Sequence, residues 1–295
     1  MRQTIEGLRK KKQSGDPIVM VTAYDYPTAY AAEQAGVDAL LVGDSLGMVV
    51  LGYESTLPVT LEVMIHHARA VCRAAKQTHV VVDMPFLTYQ ISPEEAVRNA
   101  GRLLQETGCQ AVKLEGGRAM APTIRRLVQT GIPVMGHLGL TPQSIHQLGG
   151  YRVQGRQLED ARDLWEDALA LVEAGVYAIV LECVPGELAE AMARRLPVPV
   201  IGIGAGAGCD GQVLVLHDLI GLTVGGHVPR FVKQFADVQG LIRQAVARYA
   251  EEVRLRQFPG QEHTYSLDDE VLQEWLAWIE RQSDADLPDG GQERP

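Results

Sequence analysis

Several features that would place this chain on a membrane or a polyanion are missing from its sequence. No apolar run reaches the roughly 18 residues of a membrane span, and the N-terminus lacks the apolar core of a secretory signal. The four cysteines, Cys72, Cys109, Cys183 and Cys209, are scattered with no C-x-x-C spacing. That pattern reads as reduced thiols of a cytoplasmic protein. Basic residues are in the minority, 27 Lys and Arg against 37 Asp and Glu, for a formal charge of -10. This balance argues against nucleic acid or an anionic membrane as the main partner. The one basic cluster, Arg9-Lys10-Lys11-Lys12, lies on a predicted N-terminal helix and reads as a solvated face. No repeat is visible beyond a strand–helix period.

That period is the strongest signal present. Five short apolar runs each stop at a polar residue able to do chemistry: Ala39 to Gly43 before Asp44-Ser45, Val80 to Val82 before Asp83, Ala111 to Leu114 before Glu115, Pro133 to Gly136 before His137, and Ala178 to Leu181 before Glu182. Four of them follow an amphipathic stretch closed by a glycine, Gly36, Gly108, Gly131 or Gly175. A glycine takes the left-handed conformation that ends a helix without a Cβ penalty. The continuous apolar run after it reads as a strand buried on both faces, as in a parallel sheet. Ile18–Thr22, Pro199–Ile203 and, more weakly, 212–216 complete eight strands over about 200 residues, close to the ~250 of a (β/α)8 barrel. Ser92-Pro93-Glu94-Glu95 starts a helix as a capping box, Thr141-Pro142 starts another, and Leu158–Ala174 has helical spacing. An open doubly wound sheet uses the same alphabet, but polar ends on strands two to six draw on most of a ring, which favours the barrel.

Catalytic groups in such folds sit at the C-terminal ends of the strands. Asp44, Asp83 and Glu115 make an all-oxygen donor set that suits Mg2+ or Mn2+ rather than Zn2+. Lys113 shares a face with Glu115, and a lysine inside a barrel needs a carboxylate beside it. Glu182 follows Val180-Leu181, and among apolar neighbours a carboxylate holds a proton more tightly, which suits a general base. For His137 the structural and catalytic readings stand even. Cys183 alternates away from Glu182 and reads as a small buried hydrophobe. The string Gly202 to Gly208 is a weak dinucleotide signal, and in a barrel it becomes the loop after strand seven, for a ligand or for close packing. His66-His67 reads as a surface or packing pair.

The longer strings carry a family resemblance. Val21 to Asp25, Val42-Gly-Asp-Ser-Leu-Gly-Met48, Val112-Lys-Leu-Glu-Gly-Gly117, Gly136 to Gln143, Gly149 to Gly155 and Ile201 to Gly206 resemble ketopantoate hydroxymethyltransferase, over about residues 3 to 253. The resemblance implies a (β/α)8 TIM barrel of the phosphoenolpyruvate/pyruvate type. It also implies transfer of a hydroxymethyl group from 5,10-methylenetetrahydrofolate to 3-methyl-2-oxobutanoate, on the route to pantothenate and coenzyme A. It implies one Mg2+ per subunit at Asp44, Asp83 and Glu115, and a homo-oligomer, commonly a decamer. Keto-acid contacts fall on Asp44, Ser45, Asp83 and Lys113, with His137 in the site and Glu182 as the base. A metal-dependent keto-acid lyase or aldolase of the same superfamily and a non-catalytic scaffold are the alternatives.

The expected domain is 1–254. Residues 255–295 then form an extension with a linker from Arg256 to His263 and a helix capped by Ser266-Leu-Asp-Asp269, bearing Val271, Leu272, Trp275, Leu276 and Ile279. An acidic, disordered tail from Ser283 to Pro295 ends it.

Overall fold

The computed structural model describes residues 2–225 and 228–282. Residues 283–295, where the sequence predicts disorder, lie outside the described residues. Two compact units are present, 1–239 and 240–295.

The first unit is the expected barrel. β1 (Ile18–Thr22), β2 (Ala39–Val42), β3 (His79–Asp83), β4 (Ala111–Glu115), β5 (Val134–Gly139), β6 (Ala178–Glu182), β7 (Val200–Ile203) and β8 (Gly211–Leu214) close on one another in sequence order. All eight pairings are parallel, including β8 with β1. The four punctuating glycines have left-handed φ values, 82° at Gly36, 77° at Gly108, 89° at Gly131 and 99° at Gly175. The helix Pro93–Thr107 starts as its sequence predicts, with Ser92 accepting from the Glu95 N–H at 3.2 Å. It buries Ala96, Ala100 and Leu103 against the sheet at helical spacing. Full burial of a side chain the size of Leu103 contributes roughly 1.5–3 kcal/mol relative to exposure.

Two local expectations change. Thr141-Pro142 opens only a 3-10 turn, Pro142–Ser144, and a short helix, Ile145–Leu148. An irregular segment rich in left-handed glycines (Gly149, Gly150 and Gly155) then runs to the helix Leu158–Ala174. The basic cluster is not simply solvated. Lys11 pairs with Asp38 and Lys12 with Asp210, both at 2.6 Å, fastening the helix Ile5–Ser14 to the barrel.

Side chains alternate along each strand, so one face fills the lumen. Ile18, Met20, Ala39, Leu41, Val81, Ala111, Met135, Val180, Ile201 and Val213 form a packed interior cluster, with Leu8 of the N-terminal helix joined to it. The outer faces pack against the helices in a second, larger cluster. The period of two that buries Val81, Ala111 and Met135 also brings Asp83, Lys113 and His137 into the lumen, one step nearer the C-terminal ends.

In the second unit, Tyr249 and Phe258 meet edge-on at 5.4 Å. The helix Asp269–Ile279 has Asp268 as its N-cap with no side-chain capping bond, so Ser266 does not cap it. Val271, Trp275, Leu276 and Ile279 are exposed.

Candidate active site

Strand register builds the site. Asp83 lies opposite Lys113 across β3 and β4, Glu115 opposite His137 across β4 and β5, and Gly139 opposite Glu182 across β5 and β6. Acid therefore faces base on neighbouring strands. Lys113 Nζ is 2.6 Å from Asp83 Oδ1. His137 sets Nδ1 3.5 Å from Glu115 Oε1 and Nε2 3.1 Å from Glu182 Oε2, the second close enough for an ion pair without the alignment of a hydrogen bond. Lys113 Nζ also lies 3.3 Å from His137 Nδ1. Asp44, Asp83, Lys113, Glu115 and His137 are all buried, and Glu182 is partly exposed.

Asp44 stands just past β2, where Gly43 lets the chain turn into the mouth. A Cβ on Gly43 would come within 2.8 Å of Ser45 Oγ. The Asp44 N–H donates to Asp83 Oδ2 at 3.1 Å, and Ser45 Oγ is 2.8 Å from the hydroxyl of fully buried Tyr24. The sequence-predicted residues Asp44, Ser45, Asp83, Lys113, Glu115, His137 and Glu182 are thus linked around one mouth.

The charges there are strongly perturbed. Burial, then the nearby carboxylates of Asp83 and Glu115, push Asp44 up to about 8. For Lys113, burial lowers the pKa, but Asp83, Glu115 and Asp44 outweigh it and the net shift is upward. His137 is likewise pushed down by burial and by Lys113. The adjacent carboxylates of Glu115 and Glu182 prevail, and it rises to about 9. Glu182 therefore faces an imidazolium rather than the apolar wall its sequence neighbours suggest. Strand alternation turns Val180 into the lumen below it and Leu181 out toward the helices.

The donor set can be tested against a hard cation. Among the described residues, no three His, Cys, Asp or Glu side chains converge closely enough to hold an ion as they stand. The chemistry of the donors nevertheless fits: Asp44 and Asp83 are buried oxygen ligands at adjacent strand ends, and the Lys113 charge does not offset the burial and carboxylate crowding that push Asp44 up. Glu115, the third carboxylate of the set, has Oε2 accepting from the Gln143 N–H at 3.0 Å.

Three neighbours were not singled out as site residues in the sequence, although Gln143 and Tyr151 lie within strings that carry the family resemblance. Gln143 donates from Nε2 to Asp44 Oδ2 at 2.8 Å, and Tyr89 donates to Gln143 Oε1 at 2.7 Å. Tyr151, on the irregular segment after β5, puts its hydroxyl 3.8 Å from Met48 Sδ, and the carboxylates of Glu182 and Asp44 add to the burial that raises its pKa.

Other expectations resolve around this site. Cys183 is only partly buried, with a left-handed φ of 50° that turns the chain out of β6. Burial and Glu182 push its thiol up to about 11, which removes it as a nucleophile. The glycines after β7 serve close packing: a Cβ on Gly204 would meet Phe231 at 2.7 Å and one on Gly206 would meet Gly186 at 2.8 Å. His67 packs with Nδ1 2.6 Å from the Tyr24 carbonyl oxygen.

Known proteins resemble this chain in sequence and in fold. The family model described as ketopantoate hydroxymethyltransferase matches residues 2–261. A protein of Geobacillus kaustophilus named 3-methyl-2-oxobutanoate hydroxymethyltransferase is 58% identical over 266 residues, 90% of this chain and 94% of the relative. One of the same name from Chloroflexus aggregans is 56% identical over 280 residues, 95% and 99% of the two chains. Among solved structures, a phosphonopyruvate hydrolase superimposes with a TM-score of 0.59 at 12% identity, covering 95% of this chain and 97% of its own. A 2,3-dimethylmalate lyase of the PEP mutase/isocitrate lyase superfamily gives 0.57 at 19% identity, covering 95% and 96%. At those identities the structural likeness speaks for the barrel alone.

Proposed function

The chain belongs to the ketopantoate hydroxymethyltransferase family, and from that premise we propose how its barrel mouth performs the reaction of such an enzyme. The substrates are 3-methyl-2-oxobutanoate and 5,10-methylenetetrahydrofolate, the products ketopantoate and tetrahydrofolate. One water is consumed, so that the transferred methylene leaves as a hydroxymethyl group.

Asp44 and Asp83 would hold Mg2+, with Glu115 the third carboxylate of the set. When bound, the ion supplies a Lewis acid for the carboxylate and 2-oxo oxygens of the keto acid. Ser45 and Lys113 orient the same substrate. The Lys113 ammonium, fixed at 2.6 Å by Asp83, places positive charge where the enolate oxygen develops. Glu182 takes the proton from C3, and His137 at 3.1 Å keeps its carboxylate aimed across the mouth. Water releases the one-carbon unit at the formaldehyde level, its two protons replacing the carbon on the two folate nitrogens. The carbanionic C3 attacks that carbon, and the proton held by Glu182 passes to the new hydroxymethyl oxygen.

The observation that carries this reading is the run of acid–base pairs on β3 to β6, buried at one end of the lumen. The test is ketopantoate formation from both substrates with and without a chelator. Turnover that requires both the folate and the divalent ion is expected. Keto-acid cleavage without any stimulation by methylenetetrahydrofolate would overturn the reading in favour of a lyase.

The remaining expectations are part of the same proposal: a cytoplasmic homo-oligomer, a decamer as in the family, using small-molecule partners rather than nucleic acid or membrane. Among the described residues, no helix is long and apolar enough to cross a membrane. Exposed Leu241, Ile242, Val246, Tyr249 and Trp275 support self-association. Residues 1–254 would carry the chemistry and 255–295 would be an extension.

A further inference from the structure

Gln143 is buried, 6% exposed, and a primary amide buried without partners is costly. Here every polar group of the residue's side chain is used. Nε2 donates to Asp44 Oδ2 at 2.8 Å and to the Met84 carbonyl at 3.0 Å. Oε1 accepts from the Tyr89 hydroxyl at 2.7 Å and from Gln90 Nε2 at 3.3 Å. The backbone N–H of Gln143 donates to Glu115 Oε2 at 3.0 Å.

The direction of the amide is dictated, not optional. The Met84 carbonyl can only accept, so the NH2 side must face it. The Tyr89 oxygen already accepts the Glu115 N–H at 3.2 Å, which leaves its proton for Gln143 Oε1. Backbone groups following β3 and at the end of β4 thereby lock the amide so that it presents a donor to Asp44. That bond occupies Asp44 Oδ2 and leaves Oδ1 for the mouth. The backbone bond does the same for Glu115, occupying Oε2 and leaving Oε1 toward His137. One residue on the loop after β5 thus holds one oxygen on each of two carboxylates, at the ends of β2 and β4.

We propose that Gln143, locked by Tyr89, is a positioning residue whose side-chain amide presets Asp44 for a divalent cation without touching the ion. This rests on the reading of Asp44 and Asp83 as donors to such an ion. Partners of this kind typically account for 10–100-fold in metal affinity.

The test titrates Mn2+, and Mg2+ in competition with it, into the folate-free full chain by electron paramagnetic resonance. Gln143→Met keeps the length of the side chain and removes all its hydrogen bonds. It should weaken Mn2+ binding by about 10–100-fold and change the line shape of the bound ion at saturation, which a purely structural residue would not do. Tyr89→Phe leaves the amide in place but unlocked, and should shift affinity in the same direction by less. Wild-type affinity and line shape in a folded Gln143→Met variant would overturn the inference while leaving the metal reading intact. If that variant does not fold, unchanged affinity in Tyr89→Phe overturns it instead. Absence of any ion binding by the wild type would overturn the metal reading, and this inference with it.

Discussion

His79 opens β3 and Asp83 closes it, both buried, yet the two ends of the lumen are built on opposite principles. At the foot, His79 Nε2 meets the Tyr177 hydroxyl at 3.0 Å, and the rings stand edge-on at 5.6 Å. Among the described residues, no carboxylate pairs with this imidazole. Burial first, and Arg2 second, push the imidazole down to about 4. At the head, equally buried His137 is pushed up to about 9 because carboxylates flank both ring nitrogens. The same side chain in the same lumen is kept neutral at one end and charged at the other. Burial alone does not decide protonation; the neighbouring strand does. The foot is sealed by Leu8 as a packed floor, while the head spends acid–base register on chemistry.

The largest effect should come from breaking a pair at the head. Asp83→Ala would leave the Lys113 ammonium buried without its 2.6 Å partner. Removing one member of a buried pair costs about 3–5 kcal/mol, so the variant should lose stability of that order along with ketopantoate formation. Urea denaturation checks it. A loss below about 1 kcal/mol, the worth of an exposed pair, would mean that the head is not buried in the energetic sense.

A smaller effect belongs to the foot, and it depends on pH. The folded-state pKa of His79 is depressed, from 6.5 to about 4. Between those values the unfolded chain binds more protons than the folded one. Stability from the neutral imidazole is therefore complete above about 6.5 and is lost as pH falls through about 4, a change of order 3 kcal/mol. His79→Gln, which can still bond Tyr177, should flatten that part of the stability curve. Parallel curves for the two proteins would mean that the foot carries no proton-linked stability.

Most of the frame was legible in the sequence because a parallel barrel buries both faces of its strands, so most strands are continuous apolar runs, four of them between a helix-ending glycine and a polar tip. The tips Asp83, Glu115, His137 and Glu182 stand out by that contrast. Gln143 does not. Its bond to Asp44 joins residues 99 positions apart, and apart from the family string it ends, nothing local distinguishes it from a surface glutamine. The segment after Thr141-Pro142 also misleads, since a helix-start signal is followed by glycines that only a loop uses. Neither Lys11 with Asp38 nor Glu182 with His137 was legible, because a sequence shows flanking residues and not the strand or helix that packs alongside.

The central claim is that Glu182 removes the C3 proton of the keto acid, and deuterium exchange tests it without the carbon transfer. With Mg2+ and 3-methyl-2-oxobutanoate in D2O, and no folate, the wild type should exchange the C3 proton, followed by NMR. Glu182→Gln keeps the size of the side chain but cannot accept a proton. It should still bind the keto acid, and its exchange should be slower by roughly 10²–10⁴-fold. Exchange in the glutamine variant at the wild-type rate would contradict the account and move the base to another group, His137 being the nearest at 3.1 Å.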